Sequence, residues 1–364
     1  MNKEKRICTI THHTVPNYGA VLQTYALQKA ILKLGFDSEV LNYDSERVKN
    51  SYVMKFSQIK NFKQFIKFVA FPKERIRKQR VLDFVKKNVK VSEKKYKREE
   101  LPLANNEYDL FITGSDQVWN LNIHKGDTSY MLDFVDNNNK KGSYAASFGY
   151  GEIPKEYKDL TVEKLKHFKF YNVREVQGKD ILKRYIDKES NVVLDPTLLL
   201  SEKDYENIIM ENNKLKDYVL IYNLTSSESL VEFARKIAEK NNLKLACINS
   251  DYKKVPNCIN INNASPEEFL GYIKNAKYVA TSSFHGVVFS LIFNTQVFYE
   301  LNNKKVNNNS RLENLAELFG LKNREIIKGK KIDEYTDIDY KNVNVNINEI
   351  KKESLNLLNE MLID

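Results

Sequence analysis

Four short segments of the chain place polar side chains directly after apolar, strand-like runs, which is where a parallel sheet presents functional groups. The most distinctive is segment 281–286 (TSSFHG), in which Ser283, His285 and Gly286 precede an apolar helical run. A helix N-terminus carries unpaired N–H groups and positive potential. This segment therefore predicts an anion site formed by those N–H groups and an imidazolium. The alternative is a capping serine beside a histidine that is satisfied in the core.

Segment 113–120 (TGSDQVWN) combines a carboxylate with the only tryptophan of the chain. Asp116 is a candidate general acid or base, because burial can raise the pKa of a carboxyl group there. Its neighbours Ser115 and Trp119 are candidates for substrate contacts. The alternative is that Asp116 caps the next helix.

Segment 12–19 (HHTVPNYG) links a first apolar strand to a helix. Gly19 allows close backbone approach to a ligand, and Asn17 and Tyr18 beside it are further candidates for substrate binding. An ordinary strand-to-helix turn with Asn17 as the cap is the alternative. The tandem His12 and His13 suggest metal ligands, but no third ligand lies at a matching spacing, so the sequence predicts no metal site.

Arg174, in segment 172–175 (NVRE), follows another short apolar run. An arginine at a strand end can hold a phosphate or a carboxylate by a two-pronged contact. A surface pair of Arg174 with Glu175 is the alternative. The motifs GxxxxGK[ST], GxGxxG and GxSxG are absent from the sequence, which disfavours a Walker nucleotide site, a standard dinucleotide site and a nucleophile elbow.

The elements that must position these residues alternate between strand-like and helical patterns. Residues 6–43 predict a βαβ unit, and a second α/β series runs over 218–301. We also expect a strand over 191–200 and a crossing between domains at 196–217. The pattern predicts an α/β protein with two parallel-sheet domains and a cleft between them. The predicted parts are a domain at 1–200, a domain at 201–340, and a C-terminal helix in 341–364 that packs back on the body.

The 364 residues carry a formal net charge of +10, from 58 lysines and arginines against 48 aspartates and glutamates. Residues 55–100 contain sixteen basic and five acidic residues, so this segment alone carries +11 and the rest of the chain −1. A charge confined to one segment argues against a nucleic-acid-binding protein. Helical spacing over 56–71 and 74–87 predicts a basic helical insertion in the first domain.

This basic insertion has two interpretations. It either lies on an anionic membrane surface or packs its apolar face on the first domain, with its lysines solvated. We expect no secretory signal, because the start MNKEKRICTI lacks an apolar run, and no window approaches about 18 apolar residues. We therefore expect a cytoplasmic protein with optional peripheral contact at the inner face of the membrane. Cys8, Cys247 and Cys258 are too few and too scattered for a disulfide framework or a CxxC zinc site.

Seven motifs follow one another between residues 5 and 321: NYGAVLQTYALQ, FITGSDQVWN, YAASFG, VRE, VLDPTLL, TSSFHGVVFSLIFNTQVF and SRLENLAELFGL. In this combination the chain resembles the polysaccharide pyruvyl transferase family. The resemblance implies two facing Rossmann-like domains, similar to the GT-B glycosyltransferases. It also implies transfer of the pyruvyl group of phosphoenolpyruvate onto two hydroxyls of a sugar, which gives a cyclic ketal in cell-surface or capsular polysaccharide synthesis.

The resemblance implies that Asp116, Arg174 and His285 form the catalytic site. Phe284 stands where characterised members often have arginine or leucine. We expect Arg174, His285 and the helix start at Gly286 to hold the phosphate. Asp116 is the expected base for a hydroxyl proton, and His285 is the alternative general acid. Phosphoenolpyruvate is a co-substrate, and no other cofactor and no metal ion is expected.

The acceptor that the resemblance implies is a saccharide on a polyprenyl-diphosphate or nucleotide carrier. Tyr18, Trp119 and Tyr150 are candidates for stacking on a sugar ring, and Ser310 and Arg311 for contacts from the second domain. Two other functions stay open: a GT-B-type glycosyltransferase with a nucleotide-sugar donor, and a non-catalytic binder of anionic glycans or nucleic acid. A non-catalytic binding protein would give no role to Asp116, Arg174 and His285.

Overall fold

The computed structural model describes residues 5–43, 45, 72–211, 215–249, 254–302 and 309–364. The predicted helix over 56–71 lies outside the described residues. The chain divides into two compact units. The first unit comprises Met1–Leu199 with Ile350–Asp364, and the second comprises Leu200–Glu349.

The first unit is built on one parallel β-sheet. Its strands are β1 (Arg6–Ile10), β2 (Asp37–Asn42), β3 (Val91–Lys95), β4 (Leu110–Thr113), β5 (Lys141–Ala146), β6 (Phe170–Val173) and β7 (Asn191–Val192). They lie in the order β3-β2-β1-β4-β5-β6-β7, and every pair is parallel. Strands β4 and β5 are buried along their whole length, as expected for a sheet covered on both faces.

Helices of the first unit connect these strands. They are α1 (Tyr18–Lys33), α2 (Pro72–Asn88), α3 (Leu121–His124), α4 (Lys158–Leu165) and α5 (Val176–Ile186). Helix α1 begins where the side chain of Asn17 accepts a hydrogen bond from the N–H of Ala20 at 3.3 Å. The helix is buried on nearly all faces, and the side chain of Gln28 inside it donates to the backbone oxygen of Lys90 at 2.8 Å.

The second unit contains a smaller parallel sheet. Its strands are β8 (Tyr218–Asn223), β9 (Lys244–Asn249), β10 (Ile259–Ile261), β11 (Tyr278–Thr281) and β12 (Gln296–Tyr299). They lie in the order β10-β9-β8-β11-β12, again all parallel. The predicted α/β class, with two parallel sheets, is therefore confirmed.

Helices of the second unit supply its core. They are α6 (Glu202–Glu206), α7 (Glu228–Lys240), α8 (Pro266–Lys274), α9 (Phe284–Ile292) and α10 (Ser310–Leu318). Helix α7 buries Leu230, Phe233 and Ile237 at helical spacing against the sheet. The last helix, α11 (Tyr340–Ile363), begins among the residues of the second unit and belongs to the first unit from Ile350 onward. No helix in the described part of the chain is long and apolar enough to span a bilayer.

Both sheets reverse their order next to their first strand. Strand β1 lies between β2 and β4, and β8 lies between β9 and β11. In open parallel sheets, ligands bind outside the carboxyl ends of the strands at this switch point. The loops that follow β1 and β4 carry His12 and Asp116, and β11 leads directly into Ser283 and His285. Three of the four predicted polar segments therefore lie at switch points.

Two predicted elements differ from the structure. The basic segment is not helical throughout, because β3 (Val91–Lys95) pairs with β2 inside it. The sequence did not indicate this strand, because β3 lies at the edge of the sheet and its last three residues are exposed. The strand predicted over 191–200 ends after Val192: the N–H of Leu194 donates to the Ser354 side chain instead, and Pro196 starts a 3-10 turn.

Replacement of Gly271 tests how closely α8 packs against the backbone at Met210. A Cβ atom at this position would lie 2.2 Å from the backbone oxygen of Met210, which cannot move aside as a side chain can. We expect Gly271→Ala to lower the free energy of unfolding by about 1–3 kcal/mol in urea titrations. Gly142→Ala is the matched control, because its Cβ would meet the flexible end of Met361. An equal or larger loss in the control would contradict this explanation.

Candidate active site

Asp116 occupies a tight turn at the carboxyl end of β4. Its φ of 78° lies in the left-handed region, which is uncommon for a residue other than glycine. Backbone hydrogen bonds hold the turn against the end of β5: the N–H of Ser147 donates to the oxygen of Asp116 at 3.0 Å, and the N–H of Trp119 donates to the oxygen of Ser147 at 3.2 Å. Strain of this kind concentrates at functional sites.

The alternative role for Asp116, as a cap of the next helix, belongs to another residue. Helix α3 is capped by Asn120, whose side-chain oxygen accepts a hydrogen bond from the N–H of Asn122 at 3.2 Å. The carboxylate of Asp116 instead lies near the side chains of Arg174 and His12. Its Oδ1 is 3.7 Å from Nη2 of Arg174, and its Oδ2 is 3.9 Å from Nδ1 of His12.

Arg174 is buried among three carboxylates. Besides Asp116, its Nη1 donates to Oδ2 of Asp195 at 3.1 Å, and its Nε is 3.7 Å from Oε2 of Glu175. The predicted alternative of a surface Arg174–Glu175 pair is wrong, since both side chains are only 2 % exposed. Burial alone would lower the pKa of Arg174, but the charges of Asp195, Glu175 and Asp116 outweigh it and raise the pKa. The guanidinium therefore stays charged.

Hydroxyl and amide groups donate hydrogen bonds to the two innermost carboxylates, Asp195 and Glu175. Asp195 accepts from the Ser115 hydroxyl at 2.8 Å and from the hydroxyl and N–H of Thr197 at 2.6 and 3.1 Å. Glu175 accepts from the Ser147 hydroxyl at 2.7 Å. These hydrogen bonds hold the two carboxylates in place beside Arg174. Ser115, predicted to bind substrate, is held inside the cluster.

Asp116 is the carboxylate of this cluster that reaches outward. Its side chain is 15 % exposed, against 2 % for Glu175 and none for Asp195. Arg174 therefore holds a carboxylate in place at the switch point of the first unit. The predicted contact of Arg174 with a phosphate stays a prediction, and its present partners are carboxylates.

Nothing in the sequence distinguishes His124 from a surface residue, so the sequence does not predict it as a member of the site. Its Nε2 is 3.3 Å from Nε2 of His12, and the ring of Tyr130 packs on both imidazoles. Burial, with a smaller contribution from the charge of His12, lowers the pKa of His124 to about 3. His124 is therefore neutral near pH 7. In the part of the chain that the structure describes, no group of three or more His, Cys, Asp or Glu side chains is arranged to hold a metal ion.

Two of the three aromatic side chains predicted to contact a sugar are buried in the structure, and their sugar contacts stay predictions. Trp119 is completely buried, and its ring packs on Phe148 and Phe168 in the core of the first unit. The ring of Tyr18 is also buried, within the first turn of α1. Tyr150 keeps partial exposure, and its hydroxyl donates to the backbone oxygen of Trp119 at 3.2 Å. Tyr150 thus stays the candidate for a sugar contact.

The remaining candidates from the first loop have structural roles. Asn17 caps α1, and Gly19 lies buried in the first turn of that helix. Their predicted substrate contacts stay predictions, and the alternative of a turn with a helix cap describes the contacts that the structure contains.

The second unit places the start of α9 at its own switch point. The Ser283 hydroxyl accepts a hydrogen bond from the N–H of Gly286 at 3.4 Å, so the predicted cap is present. A Cβ atom at Gly286 would lie 2.5 Å from Oγ1 of Thr281, which explains why glycine occupies this turn. His285 is 7 % exposed, and its ring meets that of Phe284 edge to face at 5.1 Å.

Ser310 and Arg311 form the start of α10 in the second unit. Ser310 is buried and Arg311 is partly exposed. The side chain of Asn309 before them bonds both the N–H and the oxygen of Asn302, at 2.8 and 2.9 Å, and so fixes this helix start. The predicted substrate contacts of Ser310 and Arg311 stay predictions.

Replacement of Arg174 tests whether the buried ion cluster that it forms with Asp116, Glu175 and Asp195 stabilises the fold. In Arg174→Gln, three carboxylates lose their buried cation, so we expect the free energy of unfolding at pH 7 to fall by about 3–5 kcal/mol. Lys183→Gln is the control, because Lys183 pairs with Asp187 and Glu189 at the exposed surface and its loss should have no measurable effect. Unfolding in urea measures both variants. Equal stability of the two variants would show that the buried contacts do not support the fold.

His124 predicts a dependence of stability on pH. Its pKa is about 3 in the fold, below the ordinary value of 6.5, so the unfolded chain binds a proton first as the pH falls. The fold should therefore lose stability between about pH 6.5 and 3, by at most about 1.4 kcal/mol per pH unit for this proton. His124→Gln should reduce that slope, whereas replacement of the exposed His167 should reduce it less, because desolvation lowers the pKa of His167 less than that of His124. Identical slopes for wild type and His124→Gln would contradict the assignment.

Comparisons with known proteins agree on the fold. No curated protein matches the sequence closely enough to indicate a relative. The S. aureus protein MnaA, solved with UDP, is similar with a TM-score of 0.52 and 12 % identity over 98 % of this chain and 91 % of that one. A glycosyltransferase from Rickettsia africae is similar with a TM-score of 0.50 and 11 % identity over 99 % of both chains. A UDP-N-acetylglucosamine 2-epimerase described as putative, from Listeria monocytogenes, has a TM-score of 0.50 and 11 % identity over 98 % of this chain and 91 % of that one.

These structures place the chain in the GT-B-like α/β class. The family model of polysaccharide pyruvyl transferases matches residues 17–303. That match includes Asp116, Arg174 and His285. The chain belongs to the polysaccharide pyruvyl transferase family.

Proposed function

We propose that this protein transfers the pyruvyl group of phosphoenolpyruvate onto two hydroxyls of a sugar, forming a cyclic ketal. The observation that carries the proposal is Asp116, a carboxylate held by buried Arg174 and directed outward at the switch point of the first unit. Membership of the family supports a pyruvyl transfer. A fixed, partly exposed carboxylate is the group that such a transfer needs to accept a hydroxyl proton.

The donor carries a phosphate and a carboxylate, so its site requires positive charge. We propose the start of α9 for this role, where helix N–H groups and the His285 imidazole lie together. These groups would offset the charge that develops on the phosphate as it leaves. Phe284 offers the donor an apolar face in place of the arginine or leucine of other members. Arg311, at the start of α10, is a second candidate cation.

The reaction balances as follows. The enol methylene of the donor gains a proton and becomes the methyl group, which leaves a carbocation-like centre at the central carbon. One sugar hydroxyl attacks this carbon, the C–O bond to phosphate breaks, and the phosphate leaves with the bonding electrons. A second hydroxyl closes the ketal. Two hydroxyl protons are released, one of which replaces the proton given to the methylene. Asp116 accepts a hydroxyl proton, and His285 is the general acid. No metal ion takes part in this proposal.

The acceptor is a saccharide on a polyprenyl-diphosphate or nucleotide carrier. Lipid-linked sugars of this kind are reached from the membrane surface, and the basic segment 55–100 would supply the attraction to anionic lipid. In the described part of that segment, α2 exposes Arg75, Lys86 and Lys87. This supports a peripheral location on the cytoplasmic side as part of the proposal.

A second candidate is a glycosyltransferase that uses a nucleotide sugar. The fold likeness to the Rickettsia africae glycosyltransferase and to MnaA solved with UDP favours it, although likeness at this level of identity extends only to the fold. The two candidates differ in the donor consumed. Incubation with phosphoenolpyruvate and with a panel of nucleotide sugars, followed by mass spectrometry, separates them.

Loss of either reactive group should slow pyruvyl transfer. We expect Asp116→Asn and His285→Ala each to lower phosphate release from phosphoenolpyruvate by roughly 10²–10⁴-fold in the presence of a sugar acceptor. Asp187→Asn is the control for the Asp116 variant, because the carboxylate of Asp187 is exposed and pairs with Lys183 at the surface of the first unit. Near-wild-type rates in both variants would overturn the assignment of the site.

A further inference from the structure

Two buried histidines beside Asp116 have no role in the proposed reaction. His12 follows β1 and His124 ends α3, and their Nε2 atoms are 3.3 Å apart. Nδ1 of His12 lies 3.9 Å from Oδ2 of Asp116. The ring centre of Tyr130 is 5.2 Å from that of His12 and 4.4 Å from that of His124. These contacts join Asp116 to a pair of imidazoles.

A hydrogen bond between the two imidazoles requires that they share one proton. Each imidazole nitrogen either donates or accepts, so only one N–H fits between two Nε2 atoms that form a hydrogen bond. Burial keeps His124 neutral, as its pKa of about 3 requires. When the Nε2–H of His12 is donated to Nε2 of His124, the Nδ1 atom of His12 faces Asp116 without a proton. His12 can then accept a proton at that atom.

The exposure of these groups rises toward Asp116. The side chain of His124 is fully buried, that of His12 is 5 % exposed, and that of Asp116 is 15 % exposed. The charged groups around them are Arg174 on the far oxygen of Asp116 and Asp127, whose charge acts on His124. A proton that enters at Asp116 therefore meets His12 next, and a neutral ring lies behind it.

We propose that His12 holds the proton that Asp116 takes from the acceptor sugar. The hydroxyl O–H bond breaks as the sugar oxygen bonds to the central carbon of the donor, and the proton passes through the Asp116 carboxylate to Nδ1 of His12. It leaves by the same route when phosphate or water takes it up. His12 is thus a positioning residue that acts through Asp116, and His124 fixes which nitrogen of His12 is available.

The distance of 3.9 Å suits an ion pair and exceeds a hydrogen bond. Catalytic hydrogen bonds are often long in a free enzyme and shorten when substrate binds. The neighbouring His13 differs, since its Nδ1 contacts the backbone oxygen of Thr11 at 3.2 Å. His13 is therefore the matched control in the same loop.

This inference rests on the proposed pyruvyl transfer, and its test compares His12→Gln with His13→Gln. Gln accepts a hydrogen bond but does not take up a proton near pH 7. We expect His12→Gln to lower kcat by about 10²-fold with little change in KM, and to remove one limb of the pH profile of kcat. His13→Gln should keep the wild-type pH profile. His12→Asn provides a second variant if His12→Gln does not fold.

Nuclear magnetic resonance tests the shared proton without turnover. In wild-type protein labelled with ¹⁵N at histidine, we expect an N–H···N coupling between the Nε2 atoms, with the proton bonded to His12. A proton bonded to His124 at Nε2 would overturn the inference, and so would an unchanged pH profile in active His12→Gln. If wild-type protein forms no ketal, the proposed function fails, and the role of His12 in it fails with it. The coupling then still reports whether the two rings share a proton.

Discussion

Burial of Arg174 among carboxylates is the interaction on which the first unit depends. A guanidinium without water must be surrounded by acceptors, and here Asp195 and Glu175 supply them while accepting hydroxyl and amide hydrogen bonds of their own. The third carboxylate, Asp116, completes this set and still reaches the surface. The ion cluster that stabilises the first unit therefore also contains the proposed reactive group, Asp116.

The topology of the sheets explains why that cluster lies where a ligand can reach it. Strands β4, β5 and β6 are neighbours, so the residues after their carboxyl ends, which include Asp116, Ser147 and Arg174, come together at one edge. The second unit repeats the arrangement at β11, where a capped helix start presents His285. Each unit thus presents a different group at its switch point: a carboxylate beside Arg174 in the first, and a capped helix start with His285 in the second.

Sequence reasoning located Asp116, Arg174 and His285 because each follows a short apolar run, and strand ends in α/β proteins carry functional groups. It could not locate Asp195 or His124 as members of the site, since their role depends on contacts with residues 21 and 112 positions away. The sequence predicts a sugar contact for Trp119 because polar residues flank it, whereas the structure packs its ring against Phe148 and Phe168 in the core. The edge strand β3 was not predicted, because its exposed lysines do not show the apolar pattern of a buried strand.

The central claim is that a carboxylate held by Arg174 takes the hydroxyl proton in ketal formation from phosphoenolpyruvate. The most direct measurement is mass spectrometry of a sugar acceptor incubated with phosphoenolpyruvate and either wild-type protein or folded Asp116→Asn. The account predicts that wild type adds the mass of pyruvate less one water to the acceptor while releasing one phosphate per ketal, and that Asp116→Asn does so at least about 10²-fold more slowly. Ketal formation at the wild-type rate by Asp116→Asn would contradict it, as would transfer of a glycosyl group in place of pyruvate.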